Sequence, residues 1–121
     1  MSFYSLVNPF NTAIGAPASG YGHTGQQGFI SSSEICWFLT KNVLSSLVFD
    51  KDACTCYASS GTEWMSFDQF MTISCKAKYI KMHELGGAMM FSLNTDDYKG
   101  ICDPGRKFPL IGVVYRILKR V

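Results

Sequence analysis

The chain has 121 residues, which is enough for one domain with a hydrophobic core. Apolar residues make up 47% and charged residues 17% of the sequence, and this composition excludes a disordered chain. The formal net charge is only +2, and no apolar run reaches the roughly 18 residues that a membrane span needs. Composition and charge therefore predict neither a nucleic-acid partner nor a membrane partner.

Five cysteines are spread along the chain: Cys36, Cys54, Cys56, Cys75 and Cys102. They form no C-x-x-C pair and the sequence has only two histidines, so we expect no metal site and no cofactor. This many cysteines in a small domain is typical of a secreted, oxidised protein, which predicts an extracellular location. The first residues do not form a signal peptide, so a secreted protein would have its true N-terminus upstream.

The first half of the chain alternates between short apolar runs and segments rich in turn-forming residues. Residues 8–28 are dominated by Gly, Ser, Ala, Pro and Thr, which predicts a long surface loop. A good N-cap residue followed by an apolar run predicts a helix over residues 32–41. Short strands are predicted over residues 3–7, 43–49, 55–58 and 63–67, with a turn at residues 59–61.

The second half has the order helix, buried strand, loop, helix. Asp68 is predicted to cap the first of these helices, whose apolar face consists of Phe70, Ile73, Ala77 and Ile80 and whose end is marked by Gly86. Residues 87–93 are small and apolar without polar alternation, which predicts a strand buried on both faces. Residues 94–105 are a polar loop, and residues 108–121 are a closing helix with Pro109 in its first turn. This order is typical of the last unit of an α/β barrel, so the segment is predicted to belong to a larger fold.

Three stretches carry a family signature by their order and spacing. The first spans residues 3–22 and contains Ile14-Gly15-Ala16-Pro17; the second spans residues 28–76 and contains Ser33-Glu34-Ile35-Cys36. The third begins at Leu85-Gly86-Gly87-Ala88-Met89-Met90-Phe91-Ser92-Leu93-Asn94 and ends at Pro109-Leu110. Together they resemble glycoside hydrolase family 18, the chitinases and chitinase-like proteins. The resemblance covers essentially the whole chain.

The resemblance implies an α+β fragment of a (β/α)8 TIM barrel. Residues 1–65 would form the chitinase-type insertion domain, and residues 66–121 the C-terminal end of the barrel, with helix seven, strand eight and helix eight. The N-terminal part of the barrel, which this chain lacks, would be its structural partner. We also keep open that the isolated chain has no stable fold.

The family's catalytic signature, D-x-x-D-x-D-x-E after the fourth barrel strand, is absent from this chain. The nearest carboxylate pair is Asp96-Asp97, which we interpret as hydrogen-bonding the loop after the strand, because adjacent side chains point in different directions. We therefore expect no catalytic residue here and no activity of the chain alone. Its parent would be an endochitinase-type glycosidase, or alternatively a chitinase-like lectin that binds glycans without hydrolysis. A glutamate at the end of the upstream signature would discriminate between them.

The resemblance also implies three substrate-binding positions, Phe91, Met89 and Gln26, with chitin or N-acetylglucosamine oligosaccharides as the partner. Family enzymes usually place a tryptophan where this chain has Phe91, and a glutamate where it has Gln26. A smaller ring offers less stacking area, a loss on the order of 1 kcal/mol. Without the resemblance, Met89 and Phe91 would be interpreted as core residues; both tryptophans are interpreted as packing residues.

The resemblance further implies a disulfide between Cys36 and Cys102, which would pin the insertion domain to the loop after the last strand. Spacing alone leaves the other three cysteines open. Cys54 and Cys56 are poorly placed to bond each other, so one of them is predicted to pair with Cys75 and the other to remain a thiol.

Overall fold

A computed structural model describes residues 1–23, 27–42 and 46–119. Its strands are β1 (Ser2–Leu6), β2 (Ala18–Tyr21), β3 (Ser46–Asp50), β4 (Thr55–Ser60) and β5 (Glu63–Phe67). Its helices are α1 (Ser32–Lys41), α2 (Phe70–Met82) and α3 (Pro109–Lys119), with a 3-10 turn at Leu93–Thr95. Within the described ranges, every helix is too short or too polar to cross a membrane.

The five strands form one antiparallel sheet in the order β2-β1-β5-β4-β3. Tyr4 of β1 lies opposite both Tyr21 of β2 and Trp64 of β5. β2 falls inside the segment that composition predicted to be a loop, and all four of its residues are exposed. Its sequence has no apolar alternation that could have predicted a strand. The strand forms because β1 offers a free edge for pairing.

The helix α1 covers one face of the sheet and has the bounds predicted from the sequence. A capping box fixes its start: the Ser31 hydroxyl accepts from the backbone N–H of Glu34, and the Glu34 carboxylate accepts from the backbone N–H of Ser31. The core between helix and sheet consists of Phe3, Ile30, Ile35, Phe38, Cys56, Ala58, Met65 and Phe67. Burying each large apolar side chain contributes about 1.5–3 kcal/mol, so this core holds the first half together.

A second core lies between α2 and α3. Ile73, Val113 and Val114 are buried there, with Met90, Leu110, Ile117 and Leu118 packed around them. The predicted apolar face of α2 is confirmed at Ile73 and Ala77 but is wrong at Phe70, which is 61% exposed.

The start of α2 is stabilised differently from the prediction. Gln69, not Asp68, is the N-cap residue of the helix. Asp68 instead accepts hydrogen bonds from the Thr72 hydroxyl at 2.9 Å and from the Lys76 ammonium at 2.6 Å. Asp68 therefore supports the first two turns of the helix through its side-chain partners.

The predicted buried strand over residues 87–93 is wrong for this chain. Residues 83–92, all of which are described, contain no strand, and most of them are exposed. A strand buried on both faces needs a neighbour at each edge and cover on each side. All five described strands pair within the antiparallel sheet, so this segment has no strand to pair with in the described chain.

The disulfide between Cys54 and Cys75 confirms that one member of the Cys54/Cys56 pair bonds Cys75. It joins the turn between β3 and β4 to α2, across a Cα–Cα distance of 5.7 Å. Cys56 remains a thiol, fully buried in the first core, where its sulfur accepts from the Gln69 amide at 3.2 Å.

Candidate functional site

Asp96 is a buried carboxylate at the start of α3. Its oxygens accept from the backbone N–H groups of Leu110 and Ile111, at 3.4 and 3.1 Å, and from that of Asp97 at 2.8 Å. The first N–H groups of a helix have no intrahelical partner, and a carboxylate there also favours the helix dipole. Asp96 precedes Pro109, the first residue of α3, by thirteen residues. The intervening loop brings its side chain back to cap the helix.

Asp97 is 1% exposed and ties α1 to the loop that precedes α3. Its carboxylate accepts from the backbone N–H groups of Ile101 and Cys102, at 3.0 and 2.8 Å, and from the hydroxyl of Ser33 at 3.2 Å. Burial by itself raises the pKa of Asp97, but these hydrogen bonds outweigh it and hold the pKa below its ordinary value of 3.8. Both carboxylates act as acceptors for the loop, which confirms their interpretation from the sequence.

Cys36 of α1 and Cys102 of the same loop are both thiols in this structure, and both line one hollow. Desolvation, the neighbouring Cys36 and the Asp97 carboxylate together raise the pKa of the Cys102 thiol. The Cys102 sulfur also lies 3.6 Å from the carbonyl oxygen of Ser32. The two cysteines expected to pair are therefore adjacent, and the disulfide between them stays a prediction.

The predicted sugar-facing residues Met89 and Phe91 are 83% and 85% exposed. They lie two residues apart in the irregular segment after α2. Phe91 borders a small hollow of about 90 Å³, whose other lining residues include Met1, Met90, Ser92 and Thr95. Gln26, the third predicted position, lies outside the described residues.

Trp37 was interpreted as a packing residue, and that interpretation is wrong, because its side chain is 64% exposed. It lines a cavity of about 610 Å³ together with Glu34, Glu63 and Lys41. The sequence held the signal: Ile35 and Phe38, three residues apart, define the buried face of α1, and position 37 lies off that face. Among the described residues, no group of three His, Cys, Asp or Glu side chains could hold a metal ion.

Comparison with known proteins assigns the family. Residues 3–96 match the glycosyl hydrolases family 18, and this is more than half of the chain. The chain belongs to that family. It is 37% identical to human chitinase-3-like protein 2 over 112 residues, which cover 88% of this chain and 28% of the relative. It is 32% identical to mouse oviduct-specific glycoprotein over 120 residues, 97% of this chain and 16% of the relative.

Solved structures agree with this assignment. An immunomodulatory active chitinase from Trichuris suis superimposes with a TM-score of 0.88 at 31% identity, over 97% of this chain and 33% of that one. Human YKL-39, described as a pseudo-chitinase with retained chitooligosaccharide binding properties, superimposes with a TM-score of 0.87 at 32% identity, over 98% and 32%. The described antiparallel sheet and helices thus correspond to about a third of these proteins.

Replacing Asp97 by asparagine should remove a pH-dependent part of the stability. Because the folded-state pKa is lowered, the stabilising contribution is complete above pH 3.8 and is lost as the pH falls through the folded value. We expect the Asp97→Asn substitution to lower the free energy of unfolding by about 2 kcal/mol near pH 7. A neutral amide oxygen accepts hydrogen bonds less strongly than a charged carboxylate does. Its free energy of unfolding should also vary less with pH in the acidic range.

Urea unfolding followed by circular dichroism between pH 2 and 7 measures both effects. Asp103→Asn is the matched control, because Asp103 lies in the same loop but is exposed and pairs only with Arg106 at 3.5 Å. Equal losses in the two variants would contradict the role assigned to Asp97.

Proposed function

We propose that this chain forms part of the cleft for N-acetylglucosamine polymers in a chitinase-type glycoside hydrolase. Its family membership supports a glycan-binding, glycosidase-type function. Human YKL-39 retains chitooligosaccharide binding, and a chitinase domain from Ostrinia furnacalis, with a TM-score of 0.85 and 32% identity, forms a complex with an N-acetylglucosamine oligomer. Both proteins share this portion of the fold with our chain.

The observation that carries the proposal is the exposed ring of Phe91. The Phe91 ring is 85% exposed and belongs to neither core of the described chain, so we take it as the ring that a pyranose in the completed cleft would cover. A pyranose presents an apolar face of C–H groups, and an aromatic ring can cover that face. Ser92 and Thr95 line the same hollow; their hydroxyls donate to Asn94 and to the Ser92 carbonyl, so they can offer a sugar only acceptor lone pairs.

We assign residues 1–65 to the insertion domain and residues 66–121 to the end of a TIM barrel. The two separate cores, one under α1 and one between α2 and α3, support a border near Phe67. In a complete barrel the segment 87–92 would find parallel neighbours, which accounts for its apolar sequence and for its exposure in this chain. The N-terminal part of the barrel is thus the partner, and the disulfide supports an extracellular location.

The alternative is a chitinase-like lectin, and the resemblance favours it at one position: Phe91 stands where family enzymes usually carry a larger aromatic ring. The carboxylates of this chain do not decide between the two, because the family's catalytic signature belongs to the fourth barrel strand, outside this chain. A general acid must reach the glycosidic oxygen with a proton to give. Neither Asp96 nor Asp97 can do this, because both are buried acceptors.

The purified chain should therefore not hydrolyse a fluorogenic chitobioside. Release of the fluorophore should equal the buffer rate within error, and the Asp97→Asn variant should give the same rate. Turnover that disappears when one of the chain's own carboxylates is replaced would overturn this assignment. The same assay on the intact protein separates an active chitinase from a lectin.

In the intact protein, Phe91→Ala should weaken binding of chito-oligosaccharides by about fivefold, because a stacking surface worth on the order of 1 kcal/mol is removed. Phe91→Trp should retain or increase the affinity, because the indole covers more of the sugar face. Isothermal titration calorimetry with one oligomer and all variants measures this.

Phe10→Ala is the matched control, since Phe10 is an exposed phenylalanine outside this hollow. It should leave the affinity unchanged. Identical affinities for the wild type, Phe91→Ala and Phe91→Trp would exclude a stacking role for Phe91.

We also expect Cys36 and Cys102 to form a disulfide in secreted material. Both side chains line the same hollow, and the closed loop of about 67 residues corresponds to a stabilisation of about 4 kcal/mol in the chain-entropy treatment. Non-reducing peptide mapping should find the cross-linked peptides, with Cys56 as the internal control that stays alkylatable after unfolding. Recovery of both cysteines alkylated, from folded protein, would refute the pairing.

A further inference from the structure

We propose that the free edge of β3 is an interaction surface for a second copy of this protein, and that the two β3 strands pair antiparallel across a two-fold axis. Among the described strands, β3 ends the sheet and pairs with β4 alone. The proposal goes beyond glycan binding and does not depend on it, because it uses only the backbone and the side chains of Ser46–Asp50.

The backbone of an edge strand carries groups that its own sheet leaves unpaired. In an antiparallel pair, alternate residues direct their N–H and C=O groups toward the neighbouring strand, and the residues between them direct theirs away. On β3 this second set faces outward, where a strand of another molecule can pair with it. Water satisfies these groups in the monomer, so the net stability of such a pair depends largely on the side chains.

The side chains along this edge are apolar and uncovered. Leu47 and Phe49 lie opposite Ala58 and Cys56 of β4, which are fully buried members of the first core, so all four side chains share the core face of the sheet. Leu47 and Phe49 are nevertheless 54% and 37% exposed. The apolar face of the sheet therefore extends beyond its buried part, and a strand beside β3 would cover the extension.

The other edge of the sheet is protected against such pairing. β2 has only four residues, and its pairing with β1 is irregular next to Ser5. Short length and irregular pairing are two of the ways in which edge strands avoid joining other molecules, and lysine and proline are two others. β3 is longer and contains neither lysine nor proline, and its one charged residue, Asp50, stands at its end. The β3 edge is therefore the open one.

The sequence of β3 is complementary to itself. In a two-fold antiparallel pair centred on Val48, each of the five residues faces a residue of the other strand. Val48 faces its own counterpart, Leu47 faces Phe49, and Ser46 faces Asp50. The three central pairs are then apolar, and each carboxylate lies opposite a hydroxyl, so no like charges meet. This match favours a second copy, because residues 46–49 carry no charge that would select an acidic or basic segment of another protein.

The end of β3 is ordered before any association. The Asp50 carboxylate accepts from the backbone N–H groups of Asp52 and Ala53, at 3.1 and 3.0 Å. The disulfide between Cys54 and Cys75 then anchors the following turn to α2. Because this end is already fixed, less conformational freedom is lost when a second strand pairs with it.

Sedimentation equilibrium of the intact protein, without any oligosaccharide, tests the association. Five paired residues span about 17 Å and make a small interface, so we expect a dissociation constant of about tens of micromolar. The weight-average mass should therefore rise toward twice the monomer mass when the concentration is raised from about 1 to about 200 μM.

Charge variants at Val48 test the register. Val48→Lys and Val48→Glu should each weaken the association by about tenfold, because two like charges would face each other across the two-fold axis. Val48 is 38% exposed and belongs to neither core, so both variants should fold, which circular dichroism checks. An equimolar mixture of the two variants should regain the association, because unlike charges then face each other. Val7→Lys is the matched control, since Val7 is an exposed valine outside the strands, and it should associate like the wild type.

Three results would overturn the proposal. The first is a wild-type protein that keeps the monomer mass over the whole concentration range. The second is an equal loss of association in Val7→Lys and Val48→Lys, which would place the contact elsewhere. The third is a mixture of the folded Val48→Lys and Val48→Glu variants that stays monomeric, which excludes pairing centred on this residue. All three are measured without sugar, so they leave the proposed function standing or falling on its own test.

Discussion

The Asp97 carboxylate accepts hydrogen bonds from Ser33 of α1 and from the backbone of the loop before α3, and in this way it joins the two cores. Each core is held by apolar contacts within itself, whereas this contact between them is polar and almost fully buried. A buried charge is tolerated only when its oxygens are satisfied, so the loop must adopt the conformation that supplies those donors. The position of Cys102 next to Cys36 follows from the same loop conformation.

This constraint also affects the candidate site. Asp96, which precedes Asp97, caps α3 with its side chain and so fixes where the exposed segment before it ends. Phe91 and Met89 lie within that segment, between α2 and the 3-10 turn. The aromatic ring is therefore presented by a segment anchored at both ends, although the segment itself is irregular. Sugar recognition by stacking benefits from such anchoring, because less side-chain and backbone freedom is lost on binding.

Local signals in the sequence predicted the elements that depend on local interactions. The capping residues and apolar spacing of α1 gave its bounds correctly, and the apolar alternation of β5 did the same. β2 was missed because its four residues are exposed and its pairing depends on β1, from which a loop of eleven residues separates it. The strand predicted at residues 87–93 failed for the opposite reason: its sequence is suited to burial, but the described residues provide no neighbouring strands that would bury it. Trp37 was misassigned because the spacing of Ile35 and Phe38, which places position 37 off the buried face of α1, was not used.

The sequence separation of the contacts orders their formation in time. β3, β4 and β5 are joined by short connections, so closing them costs little chain entropy, whereas β1 pairs with β5 across about sixty residues. The Ser33–Asp97 hydrogen bond spans 64 residues and requires both α1 and the loop before α3 to be in place. Contacts of this range form late in folding, and slowly. During synthesis, the hairpins of the sheet can therefore form on a growing chain, whereas the Ser33–Asp97 contact must wait until the loop with Asp97 has been made.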